Sequence, residues 1–208
     1  MCIRDRCNAV KFQAYKKEIV EKHPESSRLM KSAITEKNID TINDICNEVG
    51  IEWFCTPMYP EAVDFLEPFV NRFKLREFDG RSLLDNSTTK LFERIKKTGK
   101  EIIVSSQKSP KNCKFYNDPQ IKWLYCVPKY PCDLNEINFK ELFDFDGYSN
   151  HCTDIIAPIT SAVLGAKIIE VHVTPDKSKS FVDNPVSFDN KELILLVESL
   201  RKIEKINF

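Results

Sequence analysis

Asp146 to Asp183 reads DGYSNHCTDIIAPITSAVLGAKIIEVHVTPDKSKSFVD, and its periodicities decide the fold. Gly147-Tyr148-Ser149-Asn150-His151 closes a short apolar run, Ile155 to Gly165 carries helical apolar spacing, and Ala166 to His172 reads as a buried strand ending on a histidine. Two strands joined by one packed helix run parallel, so their carboxyl ends share one edge of the sheet. Each of those ends carries a histidine, in a chain with only three. Open parallel sheets and parallel barrels both place their chemistry on that edge.

Outward from this unit the same alternation continues. Cys7 to Gln13 is an apolar run that turns polar, with Lys11 and Gln13 on one face. A charged stretch, Ala14 to Lys37, reads as a loop with a short helix, and Ile39 to Val49 forms a helical stripe stopped by Gly50. Ile51 to Cys55 is a strand tipped by Thr56-Pro57, Pro60 to Val70 a helix, and Arg72 to Leu75 a strand followed by the turn Arg76-Glu77-Phe78-Asp79-Gly80. Leu83 to Thr98 reads as one helix and Glu101 to Val104 as a strand tipped by Ser105-Ser106. Gln107 to Gln120, with Pro110 and Pro119, is too interrupted for a crossover helix. Ile121 to Val127 is a strand tipped by Pro128-Lys129-Tyr130-Pro131, Ile137 to Phe143 a short helix, and Glu192 to Ile206 an amphipathic helix. About seven strands alternating with helices predict an α/β fold, a parallel sheet or barrel in one domain spanning 1–208.

Composition narrows the partners. Lys+Arg and Asp+Glu are 31 each, so no global field draws the chain to nucleic acid or anionic lipid. Met1 to Arg6 lacks a signal-peptide core and no run is long enough to span a bilayer, so the expectation is a cytoplasmic protein without membrane contact. The eight cysteines include no C-x-x-C pair and are expected as reduced thiols, with Cys126 and Cys152 packing residues.

The strand tips together hold Lys11 and Gln13, Thr56, Lys74 with Glu77 or Asp79, Ser105, Tyr130, Ser149 with His151, and His172 with Asp183. Two lysines and several hydroxyls suit a phosphate or carboxylate, and two imidazoles suit a divalent metal. The strings VKFQ (Val10 to Gln13), GIEWFCTP (Gly50 to Pro57), FKL (Phe73 to Leu75), KTGKEIIVSS (Lys97 to Ser106), LYCVPKYP (Leu124 to Pro131), GYSNH (Gly147 to His151) and LGAKIIEVHVT (Leu164 to Thr174) occur in an order and at intervals that resemble the N-acetylneuraminate (sialic acid) synthase family.

That resemblance implies a TIM-type (β/α)8 barrel that condenses phosphoenolpyruvate with an N-acetylated amino sugar such as N-acetylmannosamine. It places phosphoenolpyruvate on Lys11, Thr56, Lys74, Ser105 and Ser149, the sugar on Gln13, Tyr130 and Asp183, and Mn2+ or Mg2+ on His151 and His172. It aligns the family's acid/base glutamate with Asp79 by spacing, with Glu77 as a neighbouring carboxylate. The sequence departs from the family at Arg76 to Asp79, at Asn150 and at Pro128-Lys129. The family's first strand has no counterpart before Cys7, Met1 to Arg6 reads as a foreign leader, and the C-terminal antifreeze-like domain of many members has no counterpart. The expectation is therefore a barrel lacking its first strand, with open edges that self-associate, as in a homodimer. Two other functions compete with a synthase: a barrel that binds a phosphorylated or sugar ligand without catalysis, and another phosphoenolpyruvate-condensing or aldolase barrel.

Overall fold

The structure, a computed structural model, describes residues 7–206; the leader read at Met1 to Arg6 lies outside them. Seven strands form one sheet: β1 (Ala9–Ala14), β2 (Glu52–Pro57), β3 (Arg72–Leu75), β4 (Glu101–Ser106), β5 (Ile121–Tyr125), β6 (Gly147–Ser149) and β7 (Ile168–Glu170). Their spatial order is their chain order and every neighbouring pair is parallel. Each connection therefore steps to the adjacent strand, as in a barrel, rather than reversing at a switch point.

The sheet curls strongly. Lys74 on β3 lies 3.2 Å from Glu170 on β7 through Nζ and Oε2, although the two strands are four places apart. In a flat sheet four inter-strand spacings would separate them by roughly 19 Å. Only a sheet rolled toward closure brings those side chains together.

The helices are α1 (Lys17–Val20), α2 (Ser26–Ser32), α3 (Ile39–Val49), α4 (Ala62–Leu66), α5 (Glu77–Leu84), α6 (Lys90–Lys97), α7 (Ile156–Val163) and α8 (Asn190–Ile203). They cover the sheet with apolar faces; α6 buries Leu91, Phe92 and Ile95 and turns its lysines outward. The main core joins Trp53, Phe73, Leu75, Ile102, Val104 and Trp123 from the strands to such helical residues. Gly50 ends α3 in the left-handed conformation, φ 70°, as its position predicts. Gly147 is required for a different reason: a Cβ there would stand 2.1 Å from the Ile168 carbonyl oxygen. That close approach seats β6 against β7 and sets Ser149 opposite Glu170.

Three sequence-based expectations are corrected. Leu83 to Thr98 is not one helix: α5 ends at Leu84, Asn86 takes φ 60°, and the Thr89 hydroxyl accepts from Phe92 N to start α6. The segment Glu77 to Gly80 is not a turn but the first part of α5, so both candidate carboxylates, Glu77 and Asp79, stand on a helix. The strand expected from Ala166 to His172 stops at Glu170; His172–Val173 forms β8, paired in parallel with β9 (Ser187–Phe188) in a separate two-stranded sheet. Gln107 to Gln120 holds turns and no helix, as expected. Among the described residues no helix is long and apolar enough to cross a membrane.

Candidate active site

The amino-terminal edge of the sheet carries structural charge. Arg72 at the start of β3 bridges Glu52 and Glu101, at the starts of the strands on either side, at 3.1 and 3.0 Å. The carboxyl edge differs, because its charged groups are buried or half-buried and unequal in number.

Glu170, the last residue of β7, is the centre of that edge. Its Oε1 accepts from Lys11 Nζ at 2.9 Å and from Ser149 Oγ at 3.1 Å, while Oε2 lies 3.2 Å from Lys74 Nζ. Lys74 is 2% exposed and also donates to Ser105 Oγ at 2.5 Å. Burial alone would raise the Glu170 pKa, but Lys11 and then Lys74 overcome it and hold the carboxyl well below the usual carboxylate range. Lys74 moves the other way from a normal ion-paired lysine: burial lowers its pKa by more than the shared Glu170 carboxylate raises it, with a smaller lowering from Lys11. One carboxylate between two lysines leaves an excess positive charge in a buried place. An ammonium has three donors, and Lys74 uses two of its three on Ser105 and Glu170, so donor capacity remains for an anion. Thr56, at the end of β2, is fully buried and its Oγ1 has no hydrogen-bond partner. Such a group is rare and marks a place where a ligand or water completes the bonding. Gln13, on β1, pairs in register with this threonine.

A second group lies beside the first. His151 Nδ1 faces the Val127 carbonyl at 2.5 Å, so Nδ1 must donate, and Nε2 is left with a lone pair that accepts from the Tyr130 hydroxyl at 2.6 Å. Burial pushes the His151 pKa down to about 4, which keeps the ring neutral. The His172 ring centre is 5.5 Å from that of His151 and 5.6 Å from that of Tyr130. Burial, then Lys11, lowers its pKa, against Asp183, whose Oδ2 lies 4.0 Å from His172 Nε2. His172 Nδ1 is buried with no hydrogen bond of normal geometry.

These two neutral rings could face a divalent ion if the Tyr130 hydroxyl gave up His151 Nε2. A nitrogen roughly 2 Å from a metal puts its ring centre roughly 3 Å away, so centres at the observed separation can face one ion. No third His, Cys, Asp or Glu completes a cluster among the described residues. Any remaining ligands would be substrate oxygens and water.

The carboxylates of α5 are both engaged. Arg76 holds Asp79 through Nε at 2.6 Å and Nη2 at 3.1 Å, and Arg81 holds Glu77 at 2.7 to 3.0 Å. Two positions along a helix differ by about 200° in direction, so the two carboxylates cannot face the cluster alike. Both carboxylates are largely buried, with side chains 16% exposed at Glu77 and 14% at Asp79.

The sequence expectations for Lys11, Lys74, Ser105 and Ser149 thus converge on one spot, with Thr56 buried at a neighbouring strand end, and Tyr130, His151, His172 and Asp183 form a neighbouring group. Glu170 was not anticipated. Its signal was present: in Ile168-Ile169-Glu170-Val171-His172 a charged residue interrupts an apolar strand and shares a face with the histidine.

A model of the NeuB family matches residues 1–207. The chain belongs to the NeuB family. Relatives include an uncharacterised protein of Methanocaldococcus jannaschii, 30% identical over 96% of this chain and 63% of its own length. The N,N'-diacetyllegionaminic acid synthase of Legionella pneumophila is 28% identical over 96% of this chain and 64% of its own. The chain therefore spans less than two thirds of these NeuB relatives. Among solved structures, the N-acetylneuraminic acid (sialic acid) synthetase of Leptospira borgpetersenii in complex with citrate superposes with a TM-score of 0.80 at 26% identity, covering 96% of this chain and 74% of that one.

Proposed function

We propose that this NeuB chain carries the site for condensing phosphoenolpyruvate with an N-acetylated amino sugar, giving a sialic-acid-type nonulosonate and phosphate. The observation that carries this reading is the pair of the half-buried Lys11 and the buried Lys74, both reaching Glu170, with the unpartnered Thr56 hydroxyl at a neighbouring strand end. In this reading the two ammonium groups hold the phosphate and carboxylate of phosphoenolpyruvate, and the hydroxyls of Thr56, Ser105 and Ser149 fix its orientation. The neighbouring Tyr130, His151, His172 and Asp183 then receive the sugar, with Gln13.

In the reaction, the methylene carbon of phosphoenolpyruvate bonds to the sugar aldehyde carbon, water adds at the carbon bearing the phosphate ester, and phosphate leaves. Lys11 and Lys74 keep the negative charge of the ester compensated throughout. With Glu170 tied to both lysines, the carboxylates of α5, Glu77 and Asp79, are the candidates for moving the proton between water and the sugar oxygen. His151 and His172 would hold Mn2+ or Mg2+, which supplies Lewis-acid polarisation of the aldehyde when bound. The Arg76–Asp79 and Arg81–Glu77 pairs favour a second reading, a barrel that binds the same ligands with its carboxylates tied up.

One assay separates the two. Phosphate release from phosphoenolpyruvate that requires both a divalent ion and N-acetylmannosamine, or a related amino sugar, supports the synthase. Binding of phosphoenolpyruvate without phosphate release under any of these conditions would favour the ligand-binding barrel.

A further inference from the structure

We propose that Cys132 and Cys152 are a modification site, a dithiol that closes to a reversible disulfide and ties the loop after β5 to the loop after β6. The two residues are direct partners in an isolated parallel bridge outside the seven-stranded sheet. Cys132 N donates to the His151 carbonyl at 3.0 Å, which fixes that register. Parallel partners lie roughly 4.8 Å apart. Disulfides accept Cα separations of about 4.4 to 6.8 Å, and register partners direct their Cβ atoms to the same face, so the backbone already meets the requirement. Both side chains belong to one apolar cluster with Tyr148.

Register pairing between exposed flanks distinguishes this pair from the other described thiols, of which Cys46 and Cys113 are also buried and Cys7 is half-buried. Cys132 is 2% exposed, but Pro128 to Pro131 before it and Asp133 to Glu136 after it are exposed; Cys152, equally buried, precedes exposed Thr153 and Asp154. A small loop opening therefore reaches both sulfurs. Cys55 lies within β2 and Cys126 at the end of β5, each fully buried, and neither has a cysteine as its register partner among the described residues.

The oxidant is a low-molecular-weight disulfide. One protein thiol loses its proton and its sulfur attacks the small disulfide, releasing one small thiol and leaving a mixed disulfide. The second protein thiol, deprotonated, attacks that bond, the Cys132–Cys152 bond forms, and a second small thiol leaves. Two protein thiols give up two electrons and two protons, and the small disulfide takes up both. The crosslink clamps functional neighbours: Tyr130 lies two residues before Cys132, His151 one before Cys152, and they already share a hydrogen bond. The inference does not depend on the reaction proposed above.

The test incubates the folded chain with oxidised glutathione, removes the reagent, and reads intact mass and thiol alkylation. The expected result is a loss of about 2 Da, a peptide linking Cys132 to Cys152, and full reversal by dithiothreitol. Cys132→Ser and Cys152→Ser should each stop at a glutathione adduct, while Cys113→Ser should retain the crosslink. The wild-type measurement stands without the variants if these fail to fold. Two free alkylatable thiols at 132 and 152, a link from either to another cysteine, or a crosslink formed only in urea would each overturn the proposal.

Discussion

Lys11 Nζ and Glu170 Oε1 meet at 2.9 Å although they stand on the first and seventh strands of a seven-stranded sheet. Six spacings of a flat sheet would put them roughly 29 Å apart, so this contact crosses the interior of a rolled one. The residue that closes the roll is also the one that neutralises the candidate anion site. Fold and function share this side chain.

Removing it leaves Lys74 charged and buried with no carboxylate. Glu170→Ala should lower unfolding stability by roughly 3 kcal/mol, the usual cost of stranding one member of a buried pair. Urea unfolding of variant and parent checks this; an unchanged midpoint would mean that water already solvates the cluster.

Glu77 and Asp79 should not be equivalent. Both are clasped by an arginine, but Arg81, which holds Glu77, is 58% exposed and Arg76, which holds Asp79, is 38% exposed, so Glu77 is released more readily. Glu77→Gln should cut kcat for phosphate release by about 100-fold or more, the scale of one lost proton-transfer group, and Asp79→Asn by clearly less. The opposite order would restore the assignment based on spacing alone.

His151 gives a pH dependence whose sign can be worked out. Its pKa falls from the ordinary 6.5 in the unfolded chain to about 4 in the fold. Between those values the unfolded chain takes up a proton that the folded one refuses, so the contribution is fully present above pH 6.5 and is lost as pH falls toward 4. The loss is roughly 3 kcal/mol at most. Unfolding in chelator-treated buffer across this window should show it, and His151→Gln should flatten the curve; parallel curves for parent and variant would contradict the burial argument.

Much of this was legible in the sequence because parallel βα units repeat a pattern that marks each strand end. Lys11, Lys74, Ser105 and Ser149 could be placed on one edge from local patterning alone. Reading Leu83 to Thr98 as one helix misses the break at Asn86 to Thr89, although its Asn-Ser-Thr-Thr cluster is a turn and cap signal. Glu170 as hub was not, because which side chains meet across a curl depends on strands far apart in the chain. Nor was the transfer of His172 to a second sheet: its partner strand, Ser187–Phe188, is two residues long and has no period to read.

The central claim is that Lys11 and Lys74 form the anion site at the carboxyl edge, and calorimetric titration with phosphoenolpyruvate tests it most directly. Lys11→Ala and Lys74→Ala should each weaken binding by roughly 1.5 to 3 kcal/mol, about 10- to 150-fold, for one lost charge-assisted contact. Wild-type affinity in both folded variants would contradict the account and move the ligand elsewhere on the molecule.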